Sequence, residues 1–320
     1  MTKKKYPNFL SICLIAKDEA RYFREWIEYH KMMGVDKFYI YDNESSDGTR
    51  EILQPYIDSG LVEYKYWPGQ KMQIPAYKDC VRRHRRDTEW LAVIDMDEFI
   101  VPIKHESIPA FIKELGQSPS LATTSQRAAK QRVQQPKVAG TSAAQAEGRA
   151  NGWMRSRRGS GFDAVEINWL TYGSGGHDKH TDGFIIERFR DHSLPEWEVN
   201  RWVKTIANPR KIWASLWGYG SVHKPVMPFG RVIDAAGNRT SGITTDFRKR
   251  APIHDTIRIN HYAVRSREEY MEKIRRGRAD RFADVPRKMD WFEKHDRNEV
   301  KNDPIMDKHA KALRKILGEK

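Results

Sequence analysis

Cysteine is scarce in this chain of 320 residues, which has two, Cys13 and Cys80, each within an apolar stretch. Two cysteines cannot build a disulfide framework, and their apolar surroundings indicate buried thiols in a reducing compartment. Long apolar runs are also missing, since no stretch approaches the roughly 20 residues that a membrane-spanning helix needs. The basic start of the chain, residues 1–6, lacks the apolar segment of a secretory signal, so we expect no such signal. These absences argue against a disulfide-rich scaffold and against an integral membrane protein.

Acidic residues are outnumbered, with 43 Asp and Glu against 57 Lys and Arg, which gives a net charge of +14. Residues 117–160 contain eight of the basic residues and one acid, Glu147. This segment has almost no large apolar side chain before Trp153, so we expect a disordered basic insertion. Because no basic and aromatic module of the kind that stacks bases recurs elsewhere, nucleic acid is not the expected partner. An anionic membrane surface is a candidate partner for the basic clusters.

The first hundred residues show a regular alternation of strand and helix patterns. Strand, helix, strand, helix, strand, helix and strand are predicted in turn at 9–16, 18–33, 37–41, 49–56, 61–66, 73–86 and 90–94. This order is typical of a parallel sheet with helices on both faces. Ligands bind such sheets at the carboxyl ends of the strands. We therefore expect a ligand site at that edge of an α/β domain.

Acidic residues follow three of these strands. Asp18 and Asp42 follow the first two, and Asp95, Asp97 and Glu98 follow the fourth. An unpaired carboxylate inside a sheet is costly, so we expect the fourth strand to end there and to deliver its acids to a pocket. Asp95 and Asp97 are two residues apart and would lie on one side of an extended chain, where two oxygen ligands suit Mg²⁺ or Mn²⁺. The alternative is a strand followed by an acidic turn.

Beyond residue 160 the pattern is less regular. A strand at 162–170 precedes a glycine-rich loop, Tyr172–His177. Further strands are predicted at 183–190, 211–217 and 256–262, and helices at 266–276, 284–295 and 304–317. The glycine-rich loop lacks the residue spacing of a phosphate-binding loop.

Several short stretches together resemble a known family. They are Ala16-Lys-Asp-Glu-Ala, Tyr41-Asp-Asn-Glu-Ser-Ser-Asp-Gly-Thr, Ile94-Asp-Met-Asp-Glu-Phe, Asn168-Trp-Leu-Thr-Tyr-Gly-Ser-Gly-Gly-His, Glu187-Arg-Phe and Ile259-Asn-His-Tyr. In this order they resemble glycosyltransferases of the GT-A fold, which is Rossmann-like, and in particular a bacterial family-two-like branch related to glycosyltransferase family ninety-two. The resemblance implies an α/β fold with a mostly parallel central sheet, helices on both faces and a helical C-terminal segment.

The resemblance also implies one catalytic domain with four parts. Residues 1–116 would form the nucleotide-sugar-binding half, 117–160 the disordered basic insertion, 161–263 the acceptor and catalytic half, and 264–320 the C-terminal helical segment. The insertion departs from the family pattern.

Site roles follow from the resemblance. Asp95 and Asp97 would bind Mn²⁺ or Mg²⁺, and His261 would complete the metal shell unless it is a structural histidine. Asp42 would contact the uracil or ribose of a UDP-sugar, and Asp18 would lie near the base. Lys224 would stabilise the leaving diphosphate.

An inverting transfer also needs a base that deprotonates the acceptor hydroxyl. Asp178 and His177, which follow the glycine-rich loop, rank above Glu187, whose alternative is an ion pair with Arg188; Glu166 is a further candidate. Five indole rings would either stack on acceptor sugars or belong to the core. They are Trp169, Trp197, Trp202, Trp213 and Trp217.

The function we expect is metal-dependent, inverting transfer of a sugar from a nucleotide-diphospho-sugar to a polysaccharide or lipid-linked glycan. The protein would be cytoplasmic and peripheral to the inner membrane. A nucleotidyltransferase also uses an acid pair and a metal, but no glycine-rich loop with Lys or Arg follows the first strand. A non-enzymatic basic protein that binds nucleic acid or anionic lipid is the third interpretation.

Overall fold

The computed structural model describes residues 6–117, 161–213, 221–277 and 288–318. The strands are β1 (Asn8–Ala16), β2 (Lys37–Asp42), β3 (Val62–Tyr66), β4 (Thr88–Val93), β5 (Glu98–Pro102), β6 (Ala164–Thr171), β7 (Val203–Ala207), β8 (Val232–Asp234), β9 (Arg239–Thr240) and β10 (Ile257–His261). The helices are α1 (Ala20–Met32), α2 (Thr49–Asp58), α3 (Gln73–His84), α4 (Ile108–Gln117), α5 (Ile185–Arg188), α6 (Arg267–Arg275), α7 (Met289–His295) and α8 (Asp307–Leu317). Apart from Gln117, the predicted insertion lies outside the described residues.

All ten strands belong to one mixed, mostly parallel sheet with the order β3-β2-β1-β4-β7-β6-β10-β5, and β8 and β9 extend from β6. β1 pairs in parallel with both β2 and β4, and β2 pairs in parallel with β3. The antiparallel strand β7 lies between β4 and β6 and joins the two halves of the sheet. The α/β fold expected from the sequence is confirmed.

Strand β1 shows why the sheet is covered on both faces. Its residues Leu10, Ile12 and Leu14 pack into one apolar core with α1, while Cys13 and Ile15 pack into a second core with α3. Successive side chains of a strand point to opposite faces, so a strand with two covered faces is apolar throughout. Both cysteines are buried free thiols, as predicted.

Asp47 fixes the start of two helices. Its Oδ1 accepts hydrogen bonds from the Thr49 backbone N–H at 3.2 Å and from the Thr49 hydroxyl at 2.6 Å, and its Oδ2 accepts one from the Ala20 N–H at 2.8 Å. Free N–H groups at a helix start need such acceptors. The turn between β2 and α2 is thereby tied to the start of α1.

One prediction in the second half was wrong. The segment predicted as a strand at 183–190 forms the short helix α5, because the buried carboxylate of Glu25 accepts the N–H groups of Ile185 and Ile186 at 2.9 and 3.1 Å and so holds a helical turn. Of the strand predicted at 211–217, residues 211–213 are not in a strand and 214–217, with Trp217, lie outside the described residues. Residues Glu98–Pro102 were not predicted as a strand, yet they form β5 against β10.

Within the described ranges no helix is long and apolar enough to cross a membrane.

Candidate active site

A cavity of about 1080 Å³ lies at the carboxyl ends of β1 and β4. Asp95 and Asp97 line it from the segment after β4, and Lys17 and Glu19 line it from the segment after β1. The lining also includes Trp169, Trp202, His223, His261 and Lys273. The edge of the sheet that the strand pattern singled out therefore carries a cavity.

Asp95 is held by three donors. Its Oδ2 accepts a hydrogen bond from Lys204 Nζ at 2.7 Å, and its Oδ1 accepts from Gln73 Nε2 at 3.0 Å and from the Tyr77 hydroxyl at 3.2 Å. The side chain of Lys204 is only 1% exposed, whereas that of Asp95 is 31% exposed. Asp95 therefore faces the cavity while a buried ammonium neutralises it from behind.

Glu98, the third acid, points away from the cavity and is fully buried. Its Oε2 accepts the Asp95 backbone N–H at 2.8 Å and lies 3.4 Å from Lys204 Nζ. Burial raises the pKa of Glu98 to about 8 although Lys204 opposes the shift. Glu98 therefore supports the turn that carries Asp95 and Asp97.

Asp97 lies between a lysine and a histidine. Lys273 Nζ donates a hydrogen bond to Asp97 Oδ2 and another to the Ala263 carbonyl at 3.0 Å. On the other side, His261 Nε2 lies 3.8 Å from Asp97 Oδ1. Burial alone would raise the pKa of Asp97, but the charge of Lys273 holds it well below its usual range.

His261 has the character of a metal ligand. Burial lowers its pKa to about 3, so the imidazole is neutral, and its Nδ1 has no hydrogen-bond partner among the described residues. Neutral imidazole and carboxylate are both ligands of Mn²⁺ and related ions. No three His, Cys, Asp or Glu side chains gather around one point in the part of the chain that the structure describes. Asp97 and His261 thus fit a cation as a pair, which leaves its other positions to substrate oxygens and water.

Asp18 and Asp42 do not line this cavity. Asp18 Oδ1 accepts the Ser46 N–H at 2.7 Å. Asp42 Oδ1 accepts the Ser45 N–H at 3.1 Å, and its Oδ2 accepts the Tyr64 hydroxyl at 2.6 Å. These bonds organise the turn after β2, and contact with a nucleoside stays a prediction for both residues.

Lys224 lies away from the cavity. It is 5% exposed, forms an ion pair with Glu166, and donates to the carbonyls of Ser241 and Thr244. Glu166 also pairs with Arg250 and is fully buried. The structure therefore does not bring Lys224 or Glu166 to the acidic pair, and contact of Lys224 with a diphosphate stays a prediction.

The three predicted base residues do not line the cavity either. The carbonyls of His177 and Asp178 accept the N–H groups of Arg267 and Glu268 at the start of α6, at 3.1 and 3.0 Å. Glu187 pairs with Arg314 at 2.6 Å, whereas Arg188 binds Glu269. The expected meeting of these side chains with Asp95 and Asp97 is therefore not seen.

The glycine-rich loop instead holds the segment after α7. The Ser174 N–H donates to Asp296 Oδ1 at 2.6 Å, and the Gly175 N–H donates to Asn298 Oδ1 at 2.8 Å. A Cβ atom at Gly173 would lie 2.3 Å from Asn298 Oδ1 and 2.4 Å from the Arg297 carbonyl. Glycine is therefore needed here for close packing, and its backbone amides are occupied by protein acceptors.

Among the predicted aromatic residues, Trp169 and Trp202 line the cavity. The ring centroid of Trp169 lies 4.1 Å from that of His261 and 5.1 Å from that of His223. Trp291, which the sequence analysis did not single out, also lines the cavity and stacks on His295 at 3.7 Å.

The lysines that bind the acidic pair were not predicted from the sequence. Lys204 lies 109 residues from Asp95 along the chain, and Lys273 lies 176 residues from Asp97. Glu19 lines the cavity too, paired with Arg265 at 3.2 Å and with Arg276. In the sequence, Lys204 is a Lys inside the apolar strand β7, and Lys273 is a Lys inside α6.

Comparison with known proteins identifies the family. A sequence profile described as Glycosyltransferase family 92 matches residues 9–217. The chain therefore belongs to glycosyltransferase family 92. A family 92 protein of Oryza sativa subsp. japonica is 39% identical over 98 residues, which are 30% of this chain and 17% of the relative.

Two further relatives carry names of an activity. A beta-1,4-galactosyltransferase of Caenorhabditis elegans is 30% identical over 141 residues, covering 38% of this chain and 32% of the relative. A galactan beta-1,4-galactosyltransferase of Arabidopsis thaliana is 30% identical over 106 residues, covering 29% and 20%. The chain thus matches less than a third of the length of these relatives.

Solved structures give weak likenesses. S. aureus TarS 1-349 in complex with UDP is 16% identical, with a TM-score of 0.26 over 33% of this chain and 32% of that chain. Mycobacterium tuberculosis glucosyl-3-phosphoglycerate synthase, in complex with Mn²⁺ and UDP, is 17% identical, with a TM-score of 0.23 over 29% and 34%. The fold assignment therefore comes from the strand order.

Proposed function

We propose that the chain is a metal-dependent, inverting glycosyltransferase that moves a sugar from a nucleotide-diphospho-sugar to a glycan. The observation that carries the proposal is the pair Asp97 and His261 on the cavity, next to Asp95, in a chain of family 92. The two relatives named as galactosyltransferases support a hexose as the transferred sugar.

Asp97 and His261 would hold the divalent cation in this proposal. Such a cation supplies positive charge that stabilises a diphosphate as it leaves. Lys273 binds the Asp97 carboxylate, so its ammonium would add positive charge next to a cation held there. Lys204 and Gln73 orient Asp95 toward the cavity, where its carboxylate is free to bind the cation through water or to bind the ribose.

Inverting transfer also requires a proton acceptor on the acceptor side. Glu198 and Asp290 are carboxylates that line that part of the cavity, unlike the three residues predicted from sequence. Glu198 lies 4.0 Å from Lys294, and its side chain is 69% exposed. We propose that the base is one of these two. An Asp290→Asn or Glu198→Gln variant that loses transfer while keeping donor binding would identify it.

We propose peripheral attachment to an anionic membrane as the location, with a lipid-linked glycan as one acceptor. The basic clusters at 82–86, 248–250 and 275–278 support it. Part of their charge is neutralised within the protein, since Arg83 pairs with Glu63, Arg250 with Glu166 and Arg276 with Glu19.

A donor screen tests the proposed activity. UDP-, GDP- and CMP-sugars are each incubated with the protein and Mn²⁺, and release of the free nucleotide is measured. We expect turnover of a UDP-sugar. Release from none of the donors, in the presence or absence of candidate acceptor glycans, would contradict the proposal.

A further inference from the structure

The cavity has two unlike sides. The carboxyl ends of β1 and β4 form one side, and in α/β sheets this is where a nucleotide binds. The other side includes the short 3-10 helix Glu198–Arg201, the adjoining Trp202, and Arg248 from the 3-10 helix Asp246–Lys249. The side away from the nucleotide edge is the one left for an acceptor.

Three cations beside the nucleotide side are neutralised by protein carboxylates. Lys204 binds Asp95, Lys273 binds Asp97, and Arg276 binds Glu19. The charge of these three side chains is therefore compensated before a ligand binds.

Arg201 and Arg248 differ in this respect. Neither has a carboxylate within 4.0 Å among residues 6–117, 161–213, 221–277 and 288–318, and Arg201 Nε is buried without a hydrogen-bond partner there. The Arg201 side chain reaches the backbone of Arg248, since Arg201 Nη1 donates to the Arg248 carbonyl at 3.3 Å, and both residues line the cavity. The Arg248 guanidinium carbon lies 4.3 Å from the Trp202 ring centroid.

Two cationic side chains that line one cavity, neither with a counter-ion among the described residues, attract an anion bound there. Guanidinium presents a planar fork of N–H donors that matches a carboxylate or a phosphate. The contact with Trp202 holds the Arg248 guanidinium over a ring face, so less side-chain freedom is lost when an anion binds.

We propose that Arg201 and Arg248 bind an anionic group of the acceptor, so that the acceptor is an acidic glycan carrying a carboxylate or a phosphate. The proposal rests on the proposed glycosyltransferase function and names the substrate class of its acceptor side. Glycans without such a group would leave both guanidinium groups uncompensated.

Matched probes test the charge requirement. Trigalacturonate is compared with its methyl ester, and galactose 6-phosphate with galactose, by isothermal titration calorimetry in the presence of UDP and Mn²⁺. At least one charged probe should bind on the order of tenfold more tightly than its neutral counterpart, and added salt should reduce the difference. The pair that shows the difference distinguishes carboxylate from phosphate.

Variants assign the effect to these residues. Arg201→Gln and Arg248→Gln should each reduce the preference for the charged probe about tenfold and leave UDP affinity unchanged. Lys249→Gln is the control, because it removes one charge from an exposed residue of the same 3-10 helix that does not line the cavity. Equal binding of charged and neutral probes, or a preference that survives both Arg substitutions, would overturn the proposal.

The outcome for UDP separates this proposal from the function. If the Arg variants lose affinity for UDP instead, these side chains belong to the donor site and the acidic-acceptor proposal fails, while glycosyltransferase activity stands. If no donor is turned over, the proposed function fails whatever the probes do.

Discussion

Lys204 offers the sharpest test of how the acidic pair is supported. Its Nζ lies 2.7 Å from Asp95 and 3.4 Å from Glu98, and its side chain is 1% exposed. A Lys204→Met substitution keeps the apolar stem and removes the charge. The carboxylate of Glu98, which is fully buried, would then lose its nearest cation.

Removing one partner of a buried ion pair destabilises a protein by about 3–5 kcal/mol. Asp95 is partly solvated and keeps the hydrogen bonds from Gln73 and Tyr77, so we expect the lower end, about 3 kcal/mol. Without Lys204 the pKa of the buried Glu98 rises further, so at pH 8 the folded protein must protonate a carboxyl that is ionised in the unfolded chain. Glu98→Gln in the Lys204→Met background removes that cost. The double variant should therefore be more stable than the sum of the single effects by about 1 kcal/mol or more.

Urea unfolding at pH 8, followed by tryptophan fluorescence, measures these free energies. Lys104→Met is the control, because Lys104 forms an ion pair with Asp255 and the two side chains are 58% and 70% exposed. Such an exposed pair contributes about 1 kcal/mol or less. Equal destabilisation by the two Lys substitutions, or strict additivity of Lys204→Met and Glu98→Gln, would refute the reasoning.

Three further predictions concern the scaffold and the surface. Burial lowers the pKa of His30 to about 3; its Nδ1 donates to the Trp26 carbonyl and its Nε2 accepts the Ile100 N–H. Below about pH 6.5 the unfolded chain binds a proton at His30 and the native protein does not. The free energy of unfolding should therefore fall as pH falls from about 6.5 toward 3. An NMR titration in which the His30 ring of the native protein takes up its proton near pH 6.5 would contradict this. Gly173→Ala should destabilise the protein by about 1–3 kcal/mol in urea unfolding, because its Cβ would overlap Asn298 and Arg297. Gly176→Asn should cost less, because Gly176 has φ +81° and open space around it. Equal losses of stability in the two variants would count against close packing at Gly173. Co-sedimentation with vesicles containing anionic lipid should fall steeply as salt rises, and equal binding to neutral vesicles would rule out electrostatic attachment.

The first half of the fold was predictable because its signals are local. β1 to β4 are short apolar runs separated by helical patterns, and the acids that follow the strands mark the carboxyl edge. Asp95 and Asp97 were placed on the cavity by that rule alone.

The rest depends on contacts that sequence does not display. Lys204 and Lys273 reach their acids through tertiary contacts, Lys204 from β7 within the sheet and Lys273 from α6. Helix α5 forms where a strand was predicted because Glu25, 160 residues away in sequence from Ile185, accepts its N–H group. The glycine-rich loop was expected to lie near the chemistry, and it is instead occupied by Asp296 and Asn298.

The central claim is that transfer depends on a cation held at Asp97. The most direct measurement is the release of UDP from the donor that the screen identifies. It is made on the unchanged protein with Mn²⁺ and with EDTA, and on two variants with Mn²⁺. The variants are Asp97→Asn and, as a control on the exposed surface of α2, Asp58→Asn. We expect the rate of UDP release to fall on the order of a hundredfold or more in EDTA and in Asp97→Asn, because charge stabilisation of the leaving diphosphate disappears. Asp58→Asn should keep full activity. Undiminished release in EDTA, or in Asp97→Asn, would contradict it.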